Sequence, residues 1–381
     1  MNKEEKSSNK CPICGRPTHK ESKYCIFHAS AEEKNEEEFK KALKEYVNKI
    51  KKEDGDYDFK EFIFVGIINF KKDLNITVFK NTHFTKATFK EVAFFWEATF
   101  EGDADFWGAT FEGDAHFGVK SFVNGVNLEK IKAFSGKKLF FKLNNEKGKI
   151  NFKRAYLENT DLDIELVKGV LIDFTGALLR NTKIRREQIE NHILQEKEKE
   201  FSKAKEIYLL LKNNFHSIGQ YDDESWAFKK EKDMERKSNF HFKTLHKWLW
   251  SCFLNALYGY GEKPERVIVS AIAIIIIFAF VFMNFGIDAN PQLDTIPKYN
   301  ILKELFMGIR YGDLLVRLKD ISLEQIKNCL YFSTVTFTTL GLGDFRPVEG
   351  WGRIFVGVEA FIGALMIALF IYTFARRTGG R

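Results

Sequence analysis

The stretch Thr338-Thr339-Leu340-Gly341-Leu342-Gly343-Asp344 decides the expected fold of the C-terminal part of the chain. Its two glycines are separated by one residue, so the backbone can alternate between conformations that a residue with a Cβ atom resists. In such a segment successive carbonyl groups can all point the same way. Four copies around one axis would therefore stack their carbonyl oxygens in rings.

Two apolar runs flank this stretch. Val267–Phe285 carries no charge and is long enough to span hydrocarbon, and Ile354–Phe374 is a second run interrupted by Glu359. Lysine and arginine are concentrated in the flanks Lys229–Arg266 and Arg376–Arg381. The positive-inside rule therefore places both termini in the cytosol.

Leu323–Phe337 has the pattern of a half-membrane helix that ends just before the glycines. The C-terminal end of its dipole is partially negative and would attract a cation at the membrane centre. We expect the Thr339 hydroxyl to supply the innermost ring of oxygens, and Thr338 to pack or hydrogen-bond behind it. The expected apolar surface of this helix consists of Ile326, Leu330, Tyr331, Val335 and Phe337.

The quoted stretch resembles the potassium-channel signature Thr-Val-Gly-Tyr-Gly-Asp, with leucine in place of valine and of tyrosine. Residues 264–381 as a whole resemble two-transmembrane potassium channels. The resemblance implies a homotetrameric all-α pore domain in which potassium loses its water to carbonyl rings. It implies transmembrane helices at about 266–286 and 351–375, a re-entrant pore helix at about 322–338 and a selectivity filter at 339–344. The implied ion-binding residues are Thr339, Leu340, Gly341, Leu342 and Gly343.

The same resemblance assigns supporting roles around the filter. Tyr331 and Asp344 occupy the aromatic and acidic positions of the family, which predicts a hydrogen bond between them, whereas Val335 stands where the family often has a carboxylate. Thr338 completes this supporting set. Gly363 falls at the hinge glycine of the inner helix. The implied cavity and gate residues are Ala364, Ile367, Ile371 and Ala375, of which the last two form the constriction.

Glu359 is an ionisable residue inside a membrane run, which marks either function or a buried partner. Two interpretations stay open. Glu359 is either a neutral, hydrogen-bonded structural acid facing the back of the pore helix or a proton sensor.

A cysteine and histidine cluster near the N-terminus predicts a metal site. Cys11 with Cys14 and Cys25 with His28 form two pairs whose spacing suits tetrahedral zinc, and the motif resembles zinc-ribbon knuckles. We favour a structural or docking zinc over two unrelated thiol pairs in a disordered tail, because so short a segment has no other core. His19 is not counted as a ligand. Residues 1–10 lack the apolar core of a signal peptide, so this end is expected in a reducing cytosol.

Residues 58–184 contain a repeat of large apolar side chains about five residues apart, beginning with Phe79, Phe84, Phe89 and Phe94. An alanine stands two positions before many of them. A period of five fits neither a helix nor a plain strand. The pattern resembles the pentapeptide-repeat family, a right-handed quadrilateral β-helix in which both residues point inward. Several intervals are six residues long, and the repeat is almost lost over residues 123–150. These departures predict bulged corners and one coil with a loop.

Charged or aromatic segments flank this repeat. Residues 31–57 predict an amphipathic helix through Phe39, Leu43, Tyr46 and Ile50. Residues 185–241 predict a helical hairpin with a break at 217–219 and Asp222 or Asp223 as the cap of its second helix. Residues 242–263 mix aromatic residues with lysines, which is typical of a helix in the headgroup region. The expected protein is thus a multidomain membrane protein with the parts 1–30, 31–57, 58–184, 185–241, 242–263 and 264–381.

Composition and charge exclude some classes of function. The net charge of +7 is spread along the chain of 381 residues, so no nucleic-acid partner is expected. Lysines on the repeat argue against an acidic DNA mimic and favour a spacer or dimerisation surface. The sequence contains no recognisable catalytic constellation, so an enzyme is not expected.

The first hypothesis is a potassium channel of the plasma membrane, gated from its N-terminal region by an unknown ligand or cytosolic protein. A non-selective cation channel, allowed by Leu342, and a membrane-anchored scaffold without conduction are the alternatives.

Overall fold

The computed structural model describes residues 9–143, 148–238, 254–255, 257–259, 263–289, 323–347 and 350–379. The chain divides into two compact units between Phe240 and His241, and each unit is described by itself. The predicted interfacial helix at 242–263 lies mostly outside the described residues.

The first unit contains a β-solenoid whose short parallel strands stack in four sheets, one for each face of the coil. Thr82 pairs with Ala104, and Ala104 pairs with Val126, so that one coil takes 22 residues. Neighbouring coils therefore bury their inward side chains against each other, as in other solenoids. The strands of the first sheet are Tyr57–Asp58, Thr82–His83, Ala104–Asp105, Val126–Asn127, Gly148–Asn151 and Val170–Asp173. The second sheet has Ile63–Phe64, Thr88–Phe89, Thr110–Phe111 and Lys132–Ala133; the third has Ile68–Asn69, Ala93–Phe94, Ala115–Val119, Lys138–Leu143 and Asp161–Leu166; the fourth has Val78–Phe79, Thr99–Phe100 and Ser121–Phe122.

Four columns of stacked phenylalanine rings fill the solenoid. Successive rings in a column have centroids 4.6 to 5.0 Å apart and are at most 1% exposed. Each ring buries a large apolar area, and aromatic stacking adds to that stabilisation. The predicted inward-facing repeat is therefore confirmed. The columns are Phe59, Phe84 and Phe106; Phe64, Phe89 and Phe111; Phe70, Phe95, Phe117 and Phe141; and Phe79, Phe100 and Phe122.

Sides of five and six residues alternate around the coil, and the predicted inward position of Phe94 is wrong. Phe95, and not Phe94, is the buried residue, and Phe94 lies outside against His116 with ring centroids 4.9 Å apart. Sides of five residues turn through one left-handed residue, such as Glu97 with φ 56°. Sides of six residues contain one more residue in the bend. There Gly113 is required, because a Cβ atom would lie 2.3 Å from the carbonyl carbon of Glu91.

The coil that spans residues 123–150 is longer than its neighbours. Val126 pairs with Ile150, so this coil takes 24 residues, and residues 144–147 of it lie outside the described part of the chain. Aliphatic side chains here occupy inward positions that phenylalanine fills elsewhere, and Leu128, Ile131 and Leu139 are fully buried. The fading phase in the sequence thus reflects a change of residue type together with two additional residues.

A knuckle formed by residues 11–28 packs on the first coil of the solenoid. The ring of Phe27 stacks on Phe62 at 4.6 Å, and the Ile63 N–H donates to the carbonyl oxygen of Phe27 over 2.9 Å. The Lys34 amino group donates to the carbonyl oxygens of Ile63 and Ile26 at 2.6 and 3.0 Å. Burial lowers the pKa of Lys34 to about 7. These contacts continue the solenoid core into the knuckle.

The predicted amphipathic helix runs over Glu36–Glu53 and begins at Asn35, whose side chain accepts from the Glu37 N–H over 2.8 Å. Its buried stripe is Phe39, Leu43, Val47 and Ile50. Tyr46, which was expected in that stripe, lies at its edge and donates from its hydroxyl to the Asp58 carbonyl oxygen over 2.7 Å. A second, short helix, Phe70–Leu74, forms one corner of the solenoid.

Helices also pack on the last coil. They are Arg186–Ile189, Leu194–Lys197, Phe201–Ser217 and Tyr221–Ser238. Asn214 and Thr182 exchange two hydrogen bonds of 2.9 Å, which tie the first long helix to the solenoid. Asp222 and Asp223 do not cap the final helix, because it already begins at Tyr221. Instead they lie in its first turn, where negative charge stabilises the positive end of the dipole.

Among the described residues of the second unit, two helices are long and apolar enough to cross a membrane. We name Pro264–Phe285 the outer helix, Leu323–Phe337 the pore helix and Trp351–Gly379 the inner helix. Phe282 of the outer helix packs on Phe332 of the pore helix with ring centroids 4.9 Å apart. Two short antiparallel strands, Ile287–Ala289 and Phe345–Pro347, connect the segment after the outer helix to the segment before the inner helix.

Candidate functional site

The pore helix leads directly into residues 338–344, which we name the glycine segment. The helix ends at Phe337, and the Leu340 N–H still donates to the Val335 carbonyl oxygen over 3.0 Å. The Thr338 hydroxyl donates to the Thr334 carbonyl oxygen over 2.7 Å. The same carbonyl oxygen also accepts from the Thr338 N–H over 3.0 Å, so that two hydrogen bonds hold Thr338 against the last turn of the pore helix. Thr338 thus hydrogen-bonds back to the pore helix, and its place behind a filter stays a prediction.

Backbone φ in the glycine segment is positive at every second residue. Thr339, Gly341 and Gly343 have φ of 57°, 57° and 79°, and Leu340 and Leu342 between them are not among the residues with positive φ. Such alternation aligns successive N–H groups on one side and therefore places successive carbonyl groups on the other. An added Cβ atom at Gly341 or Gly343 meets nothing within 4 Å, so backbone conformation, and not space, requires glycine there.

The left-handed conformation of Thr339 was not predicted from the sequence. A β-branched residue with positive φ is a strained outlier, and such strain concentrates at functional sites. The Thr339 hydroxyl donates to the Thr338 carbonyl oxygen over 2.7 Å. Within one chain the side chains of Leu340 and Leu342 are 67% and 63% exposed. These two side chains therefore have little contact with the described part of the same chain.

The far end of the segment is held by a small aromatic and acidic cluster. The Asp344 carboxylate accepts from the Phe345 N–H over 3.1 Å, and the Tyr331 hydroxyl interacts with the same carboxylate. The Tyr331 ring also packs against Phe345 with centroids 5.9 Å apart. Val335 is buried and offers no polar group in this region. The structure therefore brings Tyr331 and Asp344 together, and the importance of their contact for function stays a prediction.

The inner helix touches the base of the same segment. A Cβ atom on Gly363 would lie 1.9 Å from the carbonyl oxygen of Phe337, so the two helices approach at backbone distance. One turn earlier, the fully buried Glu359 hydrogen-bonds with Ser333 of the pore helix. A separate face of the inner helix is exposed within one chain. It carries the four predicted cavity and gate residues, Ala364, Ile367, Ile371 and Ala375.

The predicted metal ligands of the knuckle lie together. The ligand atoms of Cys11, Cys14, Cys25 and His28 are all within 4.8 Å of one another, and the Nδ1 atom of His28 is 3.2 Å from the Cys25 Sγ. The His28 Nε2 atom faces the Lys60 carbonyl oxygen at 3.0 Å, an outer contact that leaves Nδ1 for a metal. Burial opposes ionisation of the Cys11 thiol, but the backbone N–H groups of Cys25, Cys14 and Ile13 and the His28 side chain lower its pKa to about 6.

This donor set can hold a metal ion. Three sulfur atoms and one imidazole nitrogen, clustered and mostly buried, suit tetrahedral coordination by a soft or borderline ion. All four positions would be filled by protein, so the cluster has the character of a structural site. His19 lies outside this group.

Comparison with known protein families agrees with this arrangement. Residues 306–379 match the family model for ion channels, and residues 77–118 match the model for pentapeptide repeats in nine copies. No curated protein and no solved structure matches the chain. The first match covers the pore helix, the glycine segment and the inner helix. Together with the Cys/His cluster and the two apolar helices, these findings fit a two-transmembrane ion channel that carries a pentapeptide-repeat domain. They point away from an enzyme.

Proposed function

We propose that the chain forms a homotetrameric, potassium-selective channel in the plasma membrane. The observation that carries the proposal is the alternation of backbone hand at Thr339, Gly341 and Gly343, directly after the end of the pore helix. Four such segments around one axis would present rings of carbonyl oxygens that replace the water of a potassium ion. The pore-helix dipoles would favour a cation at the inner end of these rings.

Leu342 favours a second candidate, a non-selective cation channel. Leucine stands here where the potassium-channel signature has tyrosine, and this side chain is 63% exposed within one chain. A looser filter would coordinate sodium as well as potassium, because selectivity depends on the number and placement of the carbonyl dipoles. The two candidates share the same pore and differ in its permeability ratio.

We further propose that the gate lies at Ile371 and Ala375 and closes by dewetting, with both termini in the cytosol. The N-terminal region would control this gate in response to a ligand or a cytosolic protein, with no nucleic acid involved. The Cys/His cluster would hold zinc, which supports the fold of the knuckle and takes no part in conduction. Deletion of residues 1–184 tests the control: altered open probability supports it, and unchanged open probability contradicts it.

Potassium flux from liposomes that contain the purified full chain tests the channel itself. We expect flux that barium blocks, and we expect Gly341→Ala to abolish it because alanine is strained at a φ of 57°. Gly357→Ala is the matched control, since an added Cβ at Gly357 meets nothing within 4 Å. Absence of flux from the parent protein would instead favour a membrane-anchored scaffold.

A further inference from the structure

Three helices of the second unit meet at one buried hydroxyl group. The Oγ atom of Ser333 in the pore helix lies 2.8 Å from the carbonyl oxygen of Ile275 in the outer helix. The same Oγ atom hydrogen-bonds with the Oε1 atom of Glu359 in the inner helix. Ser333 and Glu359 are both fully buried. Among the described residues, the Oε2 atom of Glu359 has no hydrogen-bond partner.

The number of protons available at Ser333 constrains the state of Glu359. A serine hydroxyl carries one proton, whereas a backbone carbonyl and an ionised carboxylate can only accept. If Glu359 were ionised, one of the two contacts of Ser333 would join two acceptors. The carboxylate would also be a buried charge with one unpartnered oxygen and no cation among its described hydrogen-bond partners, which is very costly.

A protonated Glu359 satisfies both contacts. Its hydroxyl donates to the Ser333 oxygen, and the Ser333 hydroxyl then donates to the Ile275 carbonyl oxygen. The unpartnered Oε2 atom becomes a neutral carbonyl oxygen, whose burial costs far less than that of a charged oxygen. The hydrogen bonds therefore run in one direction, from the inner helix through the pore helix to the outer helix.

A second contact between the inner helix and the pore helix lies about one turn further along both helices. Gly363 lies four residues after Glu359, and Phe337, which it touches, lies four residues after Ser333. Two successive turns of the inner helix thus meet two successive turns of the pore helix. The first contact is polar and directional, and the second is a close approach of backbone atoms. Together they fix how far the pore helix can slide, immediately before the strained Thr339.

We propose that Glu359 is a positioning residue, held as a neutral carboxylic acid that donates through Ser333 to Ile275 and so fixes the pore helix beneath the filter. This inference rests on the proposed channel function only for its flux readout. A neutral donor at this position holds structure, and it is distinct from a carboxylate that attracts ions or senses protons.

Infrared spectroscopy of the full chain in liposomes at neutral pH tests the protonation directly. We expect a carbonyl stretching band of a protonated carboxylic acid that is lost in Glu359→Gln. A difference spectrum that instead loses carboxylate bands would overturn the proposal, whether or not the protein conducts.

Two substitutions then test the positioning role. Glu359→Gln keeps a neutral donor, so we expect flux and a melting temperature close to those of the parent. Glu359→Leu keeps the volume but removes the donor, and we expect several-fold lower flux and a lower melting temperature. A glutamine variant as impaired as the leucine variant would show that the carboxylate charge is needed, and a leucine variant equal to the parent would show that no positioning occurs. Either result contradicts the proposal, and a parent without flux leaves the spectrum and the melting temperature as its tests.

Discussion

The substitution Gly363→Ala is expected to disturb the filter through a steric clash at its base. The new Cβ atom would lie 1.9 Å from the Phe337 carbonyl oxygen and 2.8 Å from the carbonyl carbon, while real Cβ atoms keep at least 3.0 Å from such neighbours. The inner helix must therefore move by about 1 Å from the end of the pore helix, because both sides of the contact are backbone and cannot rotate away.

The expected cost follows from two opposing terms. Overpacking a well-packed contact typically costs about 1–3 kcal/mol. Alanine in place of glycine inside a helix gains about 1 kcal/mol. The net loss of stability is therefore up to about 2 kcal/mol. A displacement of about 1 Å at this contact would shift the carbonyl groups that follow Phe337. We therefore expect a larger loss of conduction than of stability.

The assay compares Gly363→Ala with Gly357→Ala in potassium flux and thermal unfolding. Gly357 lies on the same helix, and an added Cβ there meets nothing within 4 Å, so its substitution should leave flux unchanged and stability equal or slightly higher. Similar flux from both variants would refute the reasoning. The role of Gly363 as a hinge predicts a different result, in which alanine changes the fraction of time that the pore is open but neither stability nor selectivity.

Three further predictions concern the first unit. Phe95→Ala should lower the free energy of unfolding by about 3–5 kcal/mol, because Phe95 is fully buried, and Phe94→Ala should lower it by less than about 1 kcal/mol. Chemical unfolding measures both values, and equal losses would contradict the assignment of Phe95 to the core. If the knuckle holds a metal ion as proposed, its removal by a chelator should increase amide exchange in the first coil, residues 57–64, before the last coil. Uniform exchange would contradict the packing of the knuckle on the first coil. Burial alone would raise the pKa of Asp173, but hydrogen bonds from Thr175 and Gln195 and the charge of Lys153 lower it below its ordinary range. Ionised Asp173 therefore stabilises the folded chain at pH values above the pKa of aspartate in the unfolded chain, and this stability is lost as the pH falls below about 4. The stability of Asp173→Asn should therefore depend less on pH in that window. An unchanged pH dependence in acid unfolding would contradict this.

The sequence predicts features that local pattern determines. The repeat of large and small apolar residues requires a solenoid, because no helix or plain strand accommodates it. The spacing of Cys11, Cys14, Cys25 and His28 is a local feature too, and the structure brings these side chains together. The pore helix and the glycine segment were also visible, because the apolar runs and the two glycines are contiguous in the chain.

Features that depend on contacts between distant segments were not predictable. The tandem Phe94-Phe95 offers two equivalent rings, and only the six-residue side of the coil decides which ring is buried. The contact of Gly363 with Phe337 is invisible in the sequence, since a helix glycine can mark either a hinge or a close approach. Ser333 carries no signal in a single sequence, because its importance arises from Glu359 on another helix.

The reversal potential of the full chain in a planar bilayer, with potassium on one side and sodium on the other, tests the central claim most directly. If the backbone of Thr339–Gly343 replaces the water of potassium, the reversal potential should lie far toward the potassium equilibrium potential, and barium should abolish the current. A reversal potential near zero would contradict potassium selectivity and indicate a pore that passes both ions, and the absence of current would contradict the channel itself.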